Sequence, residues 1–245
     1  MHHFFVTPAS IQDEKIEITG DDFNHIKNVL RVDEKERVSI YDGQYNEYIC
    51  TLDHYEKSKA IFRIVEKLAA DNELGSRLYL FQGLPKNDKM ELIIQKAVEL
   101  GVYGIIPVRM RRCIVKYDSK KEKAKLQRWN AISESAAKQS ARALIPEVHS
   151  ILDYEEALAL ASELDMVFVP YEHEEGIMHT KDLLKRMDPG MSVGVFIGPE
   201  GGFEDSEIQK ANDKGFHTIS LGRRILRTET AGLCALSVLM FALER

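Results

Sequence analysis

Two glycine-bearing segments in the C-terminal half carry residue types that a ligand site needs. The first is Ile197-Gly198-Pro199-Glu200-Gly201-Gly202-Phe203. Glycine lets a backbone approach a ligand closely. A carboxylate set among glycines can balance a cation or orient a polar group. The second segment runs Leu221-Gly222-Arg223-Arg224-Ile225-Leu226-Arg227-Thr228-Glu229-Thr230-Ala231. Its Arg227 and Glu229 form either a plain salt bridge or a device that orients a substrate. Read alone, the first segment fits a tight strand-to-helix turn equally well. Neither segment is a GxGxxG or GxxxxGK[ST] loop, which disfavours a Rossmann dehydrogenase and a P-loop NTPase.

A third feature is a basic stripe. Nine basic and two acidic residues lie between Arg109 and Arg128, although the 245-residue chain carries a net charge of −6. Such a stripe can bind phosphates on an acidic protein, or it can be the solvated face of a lysine-rich helix. His173 and His179 flank Glu174 and Glu175 without the spacing of a metal motif, so no metal is expected. Trp129 falls on the apolar face of a helix, where packing is the simpler role. Cys50, Cys113 and Cys234 are odd in number and far apart. That fits a reducing compartment rather than a disulfide framework. The N-terminus lacks a signal-peptide pattern, and the longest uncharged apolar stretch, 231–243, is short for a membrane span. A cytoplasmic protein without a membrane association is expected.

The elements that position these residues fall into two groups. Residues 1–70 hold short runs rich in aromatic and β-branched types at 37–41, 46–52 and 59–65, with an Asp42-Gly43 turn between the first two. A helix is predicted over 22–30. Short strands around one helix predict a small barrel. The small, polar segment 69–76 reads as a domain boundary. After it, strands at 78–81, 104–108, 166–169, 193–197 and 217–221 alternate with helices, which predicts an α/β parallel sheet with helices on both faces. Asn87 or Asp88 can cap the first of these helices, and Gly101 can close it. A helix is predicted over 122–141. Asp153 and Glu156 form a capping box. The last helix, from Thr228 or Glu229 to Leu243, is apolar nearly all round and is expected in the core or an oligomer interface.

With the order and spacing of the two C-terminal motifs, the chain resembles the bacterial 16S rRNA N3-uridine methyltransferases, the RsmE family of the SPOUT superfamily. GPEGGF followed by LGRRILRTETA is highly specific. The similarity also covers HHFFV at the start, HIKNVLR at 25–31, KNDKMELIIQKAVELGVYGIIPV at 86–108, Arg128-Trp129, and AAKQSAR at 136–142. The family often has Ser or Thr after GPEGGF. Here Glu204-Asp205-Ser206-Glu207 follows, and Asp205 or Ser206 is expected as the cap.

The resemblance implies a trefoil-knotted α/β domain over 75–245, behind a PUA-like RNA-binding β-barrel over 1–70. It implies a homodimer that uses S-adenosyl-L-methionine (SAM) to methylate uridine N3 in 16S rRNA of the small ribosomal subunit. Cofactor binding would fall to Val169, Pro170, Ile197, Gly198, Pro199, Glu200, Gly201, Gly202, Leu221, Gly222, Ile225, Leu226 and Ala231. Arg227, Glu229 and Glu200 are the candidate catalytic residues, with Arg227 first for stabilising the uridine anion. RNA contact would involve His25, Lys27 and Arg31, because residues 1–70 hold more acidic than basic residues. Arg111, Arg112, Lys116, Lys138, Gln139 and Arg142 complete that set. Three other readings stay open: a methyltransferase of this fold acting on another RNA or on a ribose hydroxyl, a non-catalytic RNA-binding assembly factor, and a small-molecule nucleotide-binding enzyme, which would need neither the basic stripe nor the N-terminal barrel.

Overall fold

A computed structural model describes residues 1–174 and 176–244. The chain forms two compact units: Met1–Glu73 with Ala137–Ile145, and Leu74–Ala136 with Pro146–Arg245.

The first unit is a six-stranded sheet. Its strands are β1 (His2–Phe5), β2 (Ile11–Gln12), β3 (Lys15–Thr19), β4 (Arg37–Tyr41), β5 (Asn46–Tyr55) and β6 (Lys59–Ala69), in the order β1-β4-β5-β6-β3-β2. β1 runs parallel to β4; the other pairs are antiparallel. Alternating side chains place Ile16, Ile18, Val38, Ile40, Cys50, Leu52, Ala60 and Phe62 in one buried cluster. Removing each large aliphatic or phenyl group from water contributes roughly 1.5–3 kcal/mol. Cys50 acts there as a packed hydrophobe: burial pushes its thiol up to about 12. The helix expected over 22–30 is two pieces, α1 (Gly20–Asn24) and a π-helical turn over His25–Leu30. The wider turn ends at Arg31, whose φ of 54° lies in the left-handed region and stops the helix.

The N-terminal stretch of the first unit ends at Glu73. The return of 137–145 to the first unit was not legible. It depends on Glu73, which accepts hydrogen bonds from Arg142 and from the amides of Ala143 and Leu144, about 70 positions away in the chain. Near neighbours in sequence carry no sign of that closure.

The second unit is a parallel sheet. Its central strands β7 (Arg77–Gly83), β8 (Gly104–Arg109), β11 (Met166–Pro170) and β12 (Ser192–Ile197) lie between β10 (Leu152–Asp153) and β13 (His217–Ile219). The order is β10-β8-β7-β12-β11-β13, and β9 (Glu147–Val148) also pairs with β8. Continuous apolar runs make these strands buried on both faces. Phe81 and Phe196 stack with centroids 4.4 Å apart. Their side of the sheet is covered by Tyr154, Ala157 and Leu158 of α4 (Tyr154–Ala161) and by Ile208 and Ala211 of α6 (Asp205–Asp213). The remaining helices are α2 (Lys89–Glu99), α3 (Ser119–Gln139), α5 (Ile177–Leu184) and α7 (Thr228–Leu243). α2 packs on α7. No helix among the described residues is long and apolar enough to cross a membrane.

The local signals mostly hold. Asp153 and Glu156 form the expected capping box, Gly101 closes α2 at φ +82°, and Trp129 is buried in the core. The cap of α6 differs: Glu204 takes the position in a capping box with Glu207, instead of Asp205 or Ser206. A glutamate reaches the free amides here because Glu207 returns a bond to the Glu204 amide. α3 begins three residues earlier than expected, because the Asp118 side chain accepts the Lys121 amide and caps it there.

Candidate active site

The loops that leave the carboxyl ends of β11, β12 and β13 converge on one side of the sheet. That is where open α/β sheets bind ligands. The loop after β12 is fixed at several points. The Gly202 amide donates to the Pro199 carbonyl at 2.9 Å and closes a turn. The Glu200 carboxylate accepts the Lys86 amide at 3.0 Å. Arg112 Nη1 donates to the Gly201 carbonyl at 2.8 Å. Gly83, at the end of β7, lets this loop come close: a Cβ there would lie 2.8 Å from the Pro199 ring and nitrogen.

A buried chain of polar groups ties the loop to α7. Gln82 Nε2 donates to Thr228 Oγ1 at 3.0 Å, and Thr228 Oγ1 donates to the Gly198 carbonyl at 2.6 Å. Thr228→Val keeps the shape and removes both bonds. The expected loss is about 1–3 kcal/mol, because a buried amide and carbonyl each lose a partner. Weaker SAM binding should follow from the loosened loop. Denaturant unfolding and titration calorimetry check this, and wild-type values in both would refute the linkage.

Together the loops enclose a cavity of about 1050 Å³. Of the residues expected at the cofactor, Pro170, Ile197, Gly198, Pro199, Glu200, Gly202, Leu221, Gly222, Ile225, Leu226 and Ala231 line it, and so does Arg227. Val169 does not: it is fully buried inside the sheet, pointing into the core. Gly201 faces Arg112 instead. Tyr171, Glu172, Ile177, Met178, Phe203, Ser220 and Lys89 line the cavity without having been singled out. Lys89, in the first turn of α2, was the traceable omission, since it lies within the KNDKMELIIQ stretch.

Lys89 Nζ sits 3.1 Å from Glu229 Oε2 and 3.3 Å from Glu200 Oε1. The Lys89 ammonium is raised above its ordinary range, first by the bond to Glu229 and then, against desolvation, by Glu200. Burial alone would raise the Glu200 carboxyl. The amides of Lys86 and of Glu200 itself, with Lys89, more than offset this and hold it below the usual range. Glu229 is also held low: its own amide, Lys89 and Arg227 outweigh burial. Both carboxylates therefore stay ionised at neutral pH and are poor proton acceptors. Arg227 is the N-cap residue of α7 and is exposed, and its guanidinium makes no ion pair among the described residues.

The cavity suits the implied SAM. Among the described residues, the backbone groups of residues 223–226, a loop edge that lines the space, make no hydrogen bond. Such an edge can pair with a purine. Ile177, Met178, Ile225 and Leu226 offer apolar surface, and Glu172, Glu174 and Glu200 offer negative charge for a sulfonium or ammonium. No group of three metal-ligand side chains occurs among the described residues, and Glu175 lies outside them.

The expected RNA residues have different fates. His25, Lys27 and Arg31 are exposed on the helical turn of the first unit, with Lys27 Nζ 5.3 Å from the Phe23 ring centroid. Arg111, Arg112 and Lys116 are exposed on the second unit, and Gln139 is exposed at the end of α3. Lys138 is half-buried and paired with Asp22 at 2.9 Å. Arg142 does not fit an RNA contact: it is 5% exposed and its guanidinium is held by Glu73 at 2.5–2.9 Å. An arginine close to Gln139 at the end of a predicted helix reads as an RNA ligand until its carboxylate partner is located.

Comparison with known proteins fits this arrangement. Residues 72–240 match a family model described as an RNA methyltransferase domain, and residues 18–65 match an RNA methyltransferase PUA domain. Parallel-sheet unit, loop-built cavity and PUA unit together define an RNA methyltransferase. The ribosomal RNA small subunit methyltransferase E of Bacillus subtilis is 35% identical over 100% of this chain and 98% of its own length. A crystal structure of the Neisseria gonorrhoeae ribosomal RNA small subunit methyltransferase E, bound to SAM, superposes with a TM-score of 0.85 at 32% identity, covering 98% of this chain and 97% of that one. A Legionella pneumophila methyltransferase in complex with SAM has the same TM-score at 31% identity, covering 98% and 97%. The chain belongs to the ribosomal RNA small subunit methyltransferase E family.

Proposed function

We infer that this enzyme transfers the methyl group of SAM to N3 of a uridine in 16S rRNA of the small ribosomal subunit. The observation that carries the reading is the cavity formed jointly by residues 197–203 and 220–228, in a chain whose fold matches relatives solved with SAM. Bound there, SAM supplies an electrophilic methyl carbon on a sulfonium. The N3 electron pair forms the new C–N bond, the C–S pair leaves with sulfur, and the N3 proton goes to solvent or a base. The loops hold the reactants in line, and positioning of this kind supplies several kcal/mol of barrier reduction. Arg227 faces the reacting base as a fixed cation for the charge that grows on the uracil oxygens. Glu200 and Glu229 remain charged and balance the sulfonium rather than hold a proton.

The second unit is read as trefoil-knotted, and the first unit as a PUA-like barrel that binds RNA. A cytoplasmic homodimer is the working assembly. α7 supports it, because it buries Ala235, Leu236 and Leu239 yet leaves Val238 38% and Phe241 82% exposed. A second copy would cover that stripe, and a concentration-independent monomer in sedimentation would exclude it.

RNA phosphates would meet the strap that carries Arg111, Arg112 and Lys116. It continues into exposed Lys120, Lys121 and Lys123, whereas Arg109, Lys125 and Arg128 are engaged by carboxylates. Lys116→Ala with Lys120→Ala should reduce the slope of log affinity against log salt by roughly 0.7–0.9 per lost phosphate contact. An unchanged slope removes the strap from the RNA path.

The reaction is tested with purified protein, radiolabelled SAM and small subunits that lack the modification, followed by nucleoside analysis. N3-methyluridine is expected. Label in another nucleoside refutes the position, and SAM binding without label on any RNA refutes the enzymatic reading.

A further inference from the structure

Lys89 lies outside both glycine-bearing segments, yet its ammonium is the one group among the described residues that touches carboxylates from both. It comes from the first turn of α2, Glu200 from the loop after β12, and Glu229 from the first turn of α7. The two contacts are 3.3 and 3.1 Å long, and Lys89 and Glu200 line the cavity. Two carboxylate oxygens that share one nitrogen are necessarily close to each other. Without a cation between them they would repel, and one would take up a proton or swing away.

We propose that Lys89 is a positioning residue for methyl transfer, fixing Glu200 and Glu229 in place as charged groups next to the cavity that Arg227 also lines; this rests on the methyltransferase reading. Lys89 is not a base for the uridine proton, since an ammonium held between two carboxylates keeps its own proton at neutral pH. Nor is a purely structural role in α2 sufficient. The carboxylates nearest to it on that helix already have partners: Asp88 has Lys125 at 3.6 Å, and Glu91 has Arg128 at 2.6 Å. Of the charges that line the cavity, Arg227 acts on Glu229; Arg223 and Arg224 from the loop before α7, and Glu172 and Glu174 from the loop after β11, line the same space. Lys86 contributes its backbone amide to Glu200 rather than its charge. Arg227, whose charge acts on Glu229, competes for it once Lys89 is gone. Removing the lysine therefore misplaces the carboxylates as well as changing their charge.

The test compares Lys89→Met, Lys89→Arg, Glu229→Gln and the Lys89→Met/Glu229→Gln double variant. Methyl transfer is measured against pH, thermal unfolding is followed alongside, and the side-chain carboxyls are titrated by 13C NMR. Lys89→Met should lose about 10- to 100-fold in kcat, the scale expected when reacting groups are misplaced by about 1 Å. Its acid limb should move to higher pH, because carboxylates without their cation protonate earlier as pH falls. Lys89→Arg should restore most of the rate. The double variant should fall little below Glu229→Gln alone, as expected for residues acting through one contact. Wild-type kcat and pH profile in Lys89→Met would overturn the proposal. So would Glu200 and Glu229 resonances that titrate as in the wild type. If no RNA is methylated even by the wild-type chain, the assigned reaction fails, while the carboxyl titrations still decide whether Lys89 holds the pair.

Discussion

Arg227→Ala is expected to lower the rate of methyl transfer by about 10²- to 10³-fold, the usual loss when one preorganised donor to a developing anion is removed. SAM affinity should change little. Arg227 is the last residue before α7, and its main chain is held by the helix that follows: the Ala231 amide donates to its carbonyl at 2.8 Å. Its side chain lines the cavity and is exposed rather than spent on an ion pair. Uridine loses the N3 proton as the methyl group arrives, and the charge spreads to the flanking oxygens. A planar guanidinium with several fixed donors suits that shape better than a point charge does. Arg227→Lys should therefore recover only part of the rate. The measurement is single-turnover transfer at saturating SAM, with SAM binding followed separately. Full turnover in Arg227→Ala would end its assignment. A rise in the SAM dissociation constant equal to the loss in rate would reassign it to cofactor binding.

Glu73→Ala should produce the largest loss of stability, about 3–5 kcal/mol, as is typical when one partner of a buried ion pair is removed. Glu73 and Arg142 are each 5% exposed at the side chain. Glu73 accepts Arg142 Nε at 2.9 Å and Nη2 at 2.5 Å, the Ala143 amide at 2.7 Å and the Leu144 amide at 3.3 Å. Truncation leaves a guanidinium without its carboxylate and strips two amides of that acceptor. Asn72 Nδ2 also donates to the Ala141 carbonyl, so the segment would keep one tether. Glu73→Leu combined with Arg142→Met should recover much of the loss, since an apolar pair removes both buried charges together. Denaturant unfolding of each variant provides the check. A loss below about 1 kcal/mol in Glu73→Ala would mean that the segment is held by its other contacts. With two units in the chain, a two-state transition must be shown first.

Arg227 is expected at the reacting uridine and Arg142 against RNA; the structure leaves the first exposed and buries the second. Both are basic residues next to motifs. Arg227 stays at the surface because α7 begins immediately after it, and its Cα is held at a loop end. Arg142 follows Ala141, whose φ of 54° turns the chain out of α3 and sends the arginine inward to Glu73. A left-handed alanine is not a local preference, so no window around residue 141 announces it. The glycine loops were more legible, because their need for close approach is written in residue type. Gly198 and Gly202 both reach the cavity wall, and Gly222 adopts the positive φ of +107° that few other residues tolerate.

What the sequence determined by itself is whatever local periodicity and residue shape decide. The parallel strands follow from continuous apolar runs, the Asp153–Glu156 box from its spacing, and the placement of residues 197–203 and 221–231 beyond strand ends from the strand-turn-helix order. The tertiary structure alone decided which charges meet. Lys89 joins Glu200 and Glu229, and residues 137–145 return to the first unit through Glu73. The physical reason is common to both. A charged side chain in an unpaired stretch of sequence is equally at home in water, at a phosphate or against a carboxylate. Only the distance to its partner, set by how the sheets close and the loops converge, selects among the three.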